Sequence, residues 1–267
     1  MKYLYTIGCS YSEGHGLDDP EKERYSKFLA EKLGCEDLNR ALGGASNQRI
    51  FRKIFEYIVD NPDKLTETMF VIQVTYPLRN EVTINSAYSN FIVEDEQKKL
   101  VYTGEDSGVP TELSSNERDY WVHSQVGNEG KITRWGGAWE EWQKPDSEGR
   151  NLMYIPKEET MQDVTWRWLI SLQSFFKLNN IKYIFFQGSS DYGLEHHLDA
   201  NQSYIRDDQT IWSRPIHKLC DTKYFYTETF YQYAGEDRLT KCKHPNAEVQ
   251  VEWADKLYNF IKEVYGD

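Results

Sequence analysis

Three polar segments of the sequence contain side chains that can carry out chemistry together. Ser10 lies in a polar loop after the first apolar run, Gly44 and Asn47 lie in a glycine-rich loop, and His244 immediately precedes Pro245. A serine hydroxyl, the N–H groups of a glycine loop and a neutral imidazole are the nucleophile, the oxyanion donors and the base of acyl transfer. The pattern predicts a serine hydrolase site, provided that the fold brings the three segments together.

The first 80 residues contain alternating strand and helix patterns that would place two of these segments side by side. Apolar runs at Lys2 to Ile7 and Met69 to Val74 predict strands, and a shorter strand is expected at Asp37 to Asn39. Between them, helical spacing over 21–34 and from Phe51 to Ile58 predicts two helices. A β-α-β-α-β series implies a parallel sheet, whose strands carry functional residues at their carboxyl ends.

The same alternation returns near residue 158. A stripe of Val164, Trp168, Leu172, Phe175 and Phe176 predicts a helix, Ile181 to Phe186 a strand, and Lys223 to Tyr226 a fifth strand. Apolar residues from Val249 to Val264 then recur every three to four positions, which predicts a C-terminal helix starting from Pro245. The expected fold is a three-layer α/β/α sandwich of the flavodoxin-like type with a parallel sheet of about five strands.

Residues 82–157 interrupt this pattern. We interpret the whole of 1–267 as one α/β domain, with 82–157 as an irregular, Trp-rich insertion that includes a small hairpin (Phe91 to Val93 against Leu100 to Tyr102). Trp135, Trp139 and Trp142 fit a helix face that packs on the sheet. The alternatives are a stacking platform for sugar rings and a homo-oligomer interface, where Trp and Tyr are enriched.

Composition excludes several classes of function. The 31 Lys and Arg against 43 Asp and Glu give a net charge of −12, which disfavours nucleic-acid binding by a basic surface. No apolar run approaches the ~18 residues of a membrane span, and the N-terminal segment is too short and polar to be a signal peptide. Four cysteines are too few for a disulfide scaffold. We therefore expect a cytoplasmic protein that contacts neither membrane nor nucleic acid.

The polar segments resemble the sequence blocks of the SGNH/GDSL hydrolase superfamily. Gly8-Cys9-Ser10 matches its first block, with Cys9 at the position of the usual Asp, and Gly44 matches the oxyanion glycine of the second. His244, followed by proline before the last helix, resembles the base of the fifth block. The resemblance spans roughly 1–80 and 160–265 and is typical of SGNH-like proteins of bacteria and their phages. It implies Ser10 as nucleophile, His244 as base and no cofactor.

Two positions depart from that family pattern. The third block normally supplies an Asn donor at the end of strand three, where this chain has Gln73-Val74-Thr75, so Asn47 or Gln73 would have to substitute. The family also has an Asp three residues before the His, and position 241 is Lys. In the best-studied triad the loss of such an Asp costs on the order of 10⁴ in turnover. A backbone carbonyl, Asp237 or Glu236 would then have to orient the imidazole.

Other candidates are weaker. Gln73, Thr75 and Arg79 at the end of strand three are candidate substrate-binding residues, although Arg79 fits a surface ion pair with Glu81 better. His217, Cys220, Cys242 and His244 form a possible zinc set, but the Cys-x-His spacing is tighter than usual, so we expect no metal.

Taken together, the sequence predicts an ester hydrolase with a Ser–His dyad or incomplete triad. Its expected substrate is a small acyl or acetyl ester, with an acetylated glycan as one candidate. The helix that follows His244 has a partial positive charge at its N-terminus, which disfavours imidazolium and suits a base. The rival interpretation is a non-catalytic SGNH-fold binding or assembly protein that uses the Trp-rich insertion.

Overall fold

A computed structural model describes residues 1–75, 79–85, 119–126, 132–133, 158–188 and 215–266. Of residues 79–85, 119–126, 132–133 and 158–161 it describes the backbone alone. The proposed hairpin of 91–102 and the tryptophans at 135, 139 and 142 lie outside the described residues. No helix in the described part is long and apolar enough to cross a bilayer.

The main sheet has five parallel strands. They are β1 (Tyr3–Ile7), β2 (Glu36–Asn39), β3 (Thr68–Val74), β7 (Lys182–Gln187) and β8 (Phe225–Tyr226), and they lie in the order β2-β1-β3-β7-β8. Every residue of β3 is buried, as its continuous apolar run predicts for a strand covered on both faces. The parallel five-stranded sheet expected from the sequence is confirmed.

Helices cover both faces of this sheet. They are α1 (Ser10–Glu13), α2 (Pro20–Glu23), α3 (Tyr25–Leu33), α4 (Asn47–Asp60), α5 (Glu158–Leu178), α6 (Phe230–Ala234) and α7 (Ala247–Tyr265). Helix α3 packs against α7, and α4 packs against α5. Right-handed crossovers put α3 on one face and α4 and α5 on the other, which gives the predicted three layers. Short 3₁₀ turns cover Pro62–Glu67, Pro215–Leu219, Thr222–Tyr224 and Glu236–Arg238.

The buried face of α5 differs from the predicted stripe. Trp166 and Leu169 are fully buried, whereas Trp168 is 38% exposed and its ring stacks on Phe51 of α4 at 5.8 Å between centroids. The predicted stripe differs from the buried face at Trp168 because an aromatic residue at the edge of a helix face can bury one side of its ring against a neighbouring helix. Trp168 therefore covers the α4–α5 contact and does not lie beneath the sheet.

A second sheet follows the carboxyl end of β3. Its antiparallel strands β4 (Arg79–Asn85), β5 (Asp119–Val126) and β6 (Ile132–Thr133) lie in that order. Strand β4 contacts α4. The region expected to be an irregular insertion therefore contains regular structure, which the sequence analysis did not place at these residues.

Candidate active site

Ser10 lies in a tight turn between β1 and α1. Cys9 is the N-cap residue of α1, and Ser10 is the first residue of that helix, with 8% of its surface exposed. Gly14 ends the single turn with a left-handed φ of 89°, and its N–H donates to the Ser10 carbonyl. A β-strand that turns abruptly into a helix presents the serine at the carboxyl end of the sheet, where ligands bind in such folds.

Gln73, from the neighbouring strand β3, supports this turn from below. Its Oε1 accepts hydrogen bonds from the Cys9 N–H (3.3 Å), the Ser12 N–H (3.1 Å) and the Ser12 hydroxyl (2.6 Å). Its Nε2 donates to Cys9 Sγ at 2.9 Å. Gln73 is fully buried, and a β-carbon at Gly8 or Gly188 would overlap its amide. The side chain thus holds the turn of residues 8–12, which we call the nucleophile turn after the predicted role of Ser10, and it is too deeply buried to contact a substrate.

A buried hydroxyl pair extends this support. The Ser12 hydroxyl donates to Gln73, so the Tyr25 hydroxyl, 2.9 Å away, must donate to Ser12. Burial raises the pKa of Tyr25 above its ordinary value, which keeps this donor protonated. On the other side, Asn39 Nδ2 donates to the Ser12 carbonyl at 2.8 Å. The nucleophile turn is therefore fixed by three neighbouring elements, β2, α3 and β3.

His244 meets Ser10 from the far end of the chain. Its Nε2 lies 2.8 Å from Ser10 Oγ, and its Nδ1 lies 2.8 Å from the carbonyl oxygen of Cys242. Because a carbonyl can only accept, Nδ1 must carry the proton, and Nε2 is left as an acceptor for the serine hydroxyl. This is the tautomer that a general base requires.

The loop before α7 holds His244 through Thr240. The His244 N–H donates to Thr240 Oγ1 (3.3 Å), and the His244 carbonyl accepts from the Thr240 N–H (2.7 Å). Lys243 lies between them in a left-handed conformation, with φ at 63°. Asn246 then caps α7 by accepting from the Val249 N–H. Helix α7 starts at Ala247, two residues after the predicted Pro245.

The glycine loop lies beside the nucleophile turn. The Leu42 N–H donates to the Gly8 carbonyl at 3.1 Å, and the Ala45 N–H closes a turn onto the Leu42 carbonyl. Gly44 has a φ of 73°, as the third residue of a type II turn requires. Within the described part of the chain, the N–H groups of Ser10 and Gly44 are not used in any backbone hydrogen bond of the turns. Both therefore stay candidate oxyanion donors.

The architecture can be compared with known proteins. No protein-family model matches the sequence, and no curated protein matches it. Among solved structures, a carbohydrate esterase family 2 enzyme with a carbohydrate-binding domain from Corynascus thermopiles (Myceliophthora fergusii) matches with a TM-score of 0.52. The two sequences are 11% identical, and the alignment covers 100% of this chain and 67% of that enzyme's chain. This chain has an SGNH-hydrolase-like fold.

Two further solved structures align at lower TM-scores. A psychrotrophic esterase from Pseudoalteromonas sp. gives 0.49 at 11% identity, covering 100% of both chains. A putative lipolytic protein of the G-D-S-L family from Desulfitobacterium hafniense gives 0.46 at 11% identity, covering 97% of this chain and 99% of its own. At 11% identity, the match to the carbohydrate esterase shows the fold alone, and the chemistry has to be argued from the geometry of the site.

Asn47, the expected third oxyanion donor, is used elsewhere in this SGNH-like fold. Its Nδ2 donates to the Thr75 carbonyl (2.9 Å) and to Thr165 Oγ1 (3.3 Å), and its Oδ1 accepts from the Thr75 N–H (2.8 Å). Both amide hydrogens therefore have acceptors, and the residue is 4% exposed. Asn47 fixes the end of β3 to α4, so we assign it a structural role and not that of a donor.

The remaining expected substrate contacts lie at the end of β3. Thr75 is 4% exposed, and its backbone is held by Asn47, so it shapes the edge of the sheet. Arg79 opens β4 and pairs with Gln125 of β5 in the register. The side chain of Arg79 lies outside the described residues, and its role as a substrate contact stays a prediction.

The residues that would orient the imidazole are now distinguishable. Lys241, at the position of the usual family Asp, is exposed, as are Glu236 and Asp237. Nδ1 of His244 is bonded to the Cys242 carbonyl, the first of the alternatives that the sequence left open. A neutral carbonyl therefore occupies the place of the family carboxylate.

The four residues that the sequence offered as a possible zinc set are not brought together as a set in the described part of the chain. Within the described residues, the one group of three or more metal-binding side chains is His15, Cys242 and His244, whose ligand atoms lie within 4.8 Å of one another. His217 and Cys220 are not part of it. His15 could not be recognised from the sequence, because nothing in its local sequence marks it as a neighbour of His244.

Proposed function

We propose that the protein is a serine ester hydrolase in which Ser10 is the nucleophile and His244 the general base. The observation that carries the proposal is the pair of 2.8 Å hydrogen bonds at His244, one to Ser10 Oγ and one to the Cys242 carbonyl. Together they place the hydroxyl within proton-transfer distance of a ring nitrogen whose tautomer is fixed. A nucleophile, its base and a group that orients the base are the diagnostic arrangement for covalent catalysis.

The first half-reaction follows from this geometry. Ser10 Oγ attacks the ester carbonyl carbon while its proton passes to Nε2 of His244, and the carbonyl electron pair moves to oxygen. The N–H groups of Ser10 and Gly44 bind that oxyanion. When the tetrahedral intermediate collapses, the C–O bond to the alcohol breaks, and the imidazolium returns the proton to the leaving oxygen. The product is an acyl ester on Ser10 and a free alcohol.

The second half-reaction repeats these roles with water. His244 takes a proton from the water molecule, the resulting hydroxide attacks the acyl carbon, and Ser10 Oγ leaves with the proton that the imidazolium returns. The carboxylic acid is released, and the enzyme regains its starting state. All protons pass through Nε2, so each half-reaction needs Nδ1–H to remain on the Cys242 carbonyl.

The carbonyl orients His244 but stabilises its charged form less than a carboxylate would. Hydrogen bonds to charged groups contribute about 1.5–3 kcal/mol against about 0.5–1.5 kcal/mol for neutral pairs. A difference of about 1.4 kcal/mol corresponds to roughly tenfold in rate. We therefore expect a working hydrolase with a lower turnover than a Ser-His-Asp enzyme of the same fold.

A small acyl or acetyl ester, carried by a carbohydrate, is the substrate class that we propose. Support comes from the aromatic residues of the insertion in sequence, and from a structural neighbour described as a carbohydrate esterase. The competing proposal is a binding or assembly protein that lacks catalysis. The neutral partner of His244 and the engaged amide of Asn47 favour that alternative, because a full SGNH site would supply a carboxylate and an Asn donor there.

A fluorophosphonate probe tests the proposal directly. Intact mass is measured for the wild type and for Ser10→Ala, His244→Ala and Ser174→Ala, the last removing an exposed serine on α5. We expect one adduct on the wild type and on Ser174→Ala, and none on Ser10→Ala or His244→Ala. A folded, metal-free wild-type protein that takes no adduct would overturn the hydrolase proposal. If the adduct forms, release of acetate from acetylated sugars identifies the substrate.

A further inference from the structure

His15 and Cys242 lie beside His244, the partner of Ser10, and the three residues form a cluster. One ligand atom from each lies within 4.8 Å of the others. The two imidazole rings lie 4.7 Å apart between centroids, in an edge-to-face arrangement at 61°. We propose that this cluster binds Zn²⁺, and that the bound ion takes His244 away from Ser10 and switches off hydrolysis. The regulatory part of this proposal rests on the proposed function, whereas the metal site does not.

Two loops come together closely enough to build the cluster. His15 follows α1, and its N–H donates to the Ser10 carbonyl at 3.0 Å, which ties it to the nucleophile turn. Gly16 packs directly against the loop of Cys242, since a β-carbon at Gly16 would overlap Cys242 Sγ and lie 2.8 Å from Thr240 Oγ1. This close approach holds the thiol beside His15. The three donors are thus brought together by the backbone before any metal binds.

The donor set selects a transition metal. One thiolate and two imidazoles are borderline-soft ligands, and three such ligands with a fourth position open to water are typical of accessible zinc sites. Lysines flank Cys242 on both sides, which disfavours a hard cation such as Mg²⁺ or Ca²⁺ held by charge alone. Tetrahedral zinc sets its ligand atoms roughly 3.3–3.6 Å apart. Movements of about 1 Å, chiefly in the exposed side chains of His15 and Cys242, close the cluster to that size.

Zinc binding and hydrolysis compete for the same ring. Nε2 of His244 is bonded to Ser10, and Nδ1 is bonded to the Cys242 carbonyl. A metal on Nε2 removes the base from the nucleophile, and a metal on Nδ1 displaces the proton that fixes the tautomer. Either mode of coordination prevents proton transfer from Ser10. The ion therefore acts as a reversible inhibitor and not as a cofactor.

Direct binding tests the site without reference to activity. Zinc titration of the metal-free, reduced full chain is followed by calorimetry, and Co²⁺ is used in parallel to detect thiolate-to-metal charge transfer. We expect one ion per chain, a thiolate–cobalt band, and protection of Cys242 from alkylation. His15→Gln and Cys242→Ser should each weaken binding roughly tenfold or more, because loss of even an outer-shell partner costs that much. His217→Gln, a histidine outside the cluster, should bind as the wild type does.

The regulatory part is tested by the ratio of probe labelling with and without Zn²⁺ in each variant. Labelling of the wild type should fall on addition of Zn²⁺ and recover with a chelator, and this response should be lost in His15→Gln. Failure to bind zinc, or binding that survives both substitutions, overturns the metal site. Binding at the cluster without loss of labelling overturns the switch. A metal-free wild type that never labels refutes the proposed function and leaves the binding result standing.

Discussion

Replacing Gln73 by Met removes the hydrogen bonds that hold the turn around Ser10 and leaves Ser10 itself unchanged. Methionine has nearly the same length but cannot accept the hydrogen bonds of the Cys9 N–H and the Ser12 hydroxyl. The Ser12 N–H loses one acceptor but keeps the Cys9 carbonyl at 3.0 Å. Two buried donors therefore lose the Gln73 acceptor without a replacement from that side chain.

The magnitude follows from the cost of such groups. Each lost hydrogen bond contributes about 0.5–1.5 kcal/mol, so losing the three that Gln73 Oε1 accepts should lower the free energy of unfolding by about 1.5–4.5 kcal/mol. Typical domains have about 5–15 kcal/mol, and most of the protein should stay folded in the absence of denaturant. A displacement of about 1 Å at a catalytic atom can cost 10²-fold, and we expect kcat to fall roughly 10–100-fold. KM should hardly change, because Gln73 is fully buried.

The assay is urea unfolding combined with steady-state hydrolysis of a small acetyl ester. Gln173→Met is the matched control. Gln173, on α5, is also buried, and its amide makes two hydrogen bonds to the backbone of Asp221 (2.9 and 2.7 Å). These bonds join α5 to the segment before β8 and do not involve the turn around Ser10. The Gln173→Met protein should therefore lose stability and keep kcat. Gln73→Glu, which retains the accepting Oε1, should recover part of kcat. A Gln73→Met protein with wild-type kcat, or a Gln173→Met protein with an equal loss of kcat, would refute the reasoning.

Three further predictions concern the surrounding loops. Lys241→Asp should change kcat less than about threefold, because the Cys242 carbonyl already accepts the hydrogen bond from His244 Nδ1. A rise in kcat of roughly tenfold, which is what a charged hydrogen-bond partner would add, would contradict this assignment. Gly44→Ala places a residue with a β-carbon at a φ of 73°, which costs about 1–2 kcal/mol of stability. It should also lower kcat by up to roughly 100-fold at constant KM, as measured by steady-state kinetics on the folded fraction. Burial raises the pKa of Cys35 and Cys220 to about 11, so both stay protonated at pH 8, and peptide mapping should find exposed Cys242 alkylated first; equal rates at all three would be the contrary result.

Much of the fold could be predicted because its signals are local. The apolar run of β3 and the alternation of strands with amphipathic helices require only the sequence of each element. The meeting of Ser10 and His244 also follows from the sequence, since parallel strands end at one edge and the last helix returns to that edge. The roles of Ser10, Gly44 and His244 in hydrolysis stay proposals.

The side chains that support the site could not be predicted, because their direction depends on distant residues. Gln73 looks like a polar residue at the open edge of the sheet. Its amide instead turns under the β1 loop, into space left by Gly8 and Gly188, which directly follow the neighbouring strands β1 and β7. Asn47 carries an amide that could donate to an oxyanion, and only the position of Thr75 shows that this amide is already hydrogen-bonded to the backbone.

The 234 positions that separate Ser10 from His244 have a consequence during synthesis. At about 5–20 residues per second, a ribosome takes roughly 10–50 s to add His244 after Ser10. Helix α7 must also emerge and pack on α3 before the His244 loop reaches its place. Throughout that interval the nascent chain carries Ser10 without His244. Under the proposed function, catalytic competence is therefore coupled to completion of this contact, and ester hydrolysis would report on how much of the newly made protein has finished folding.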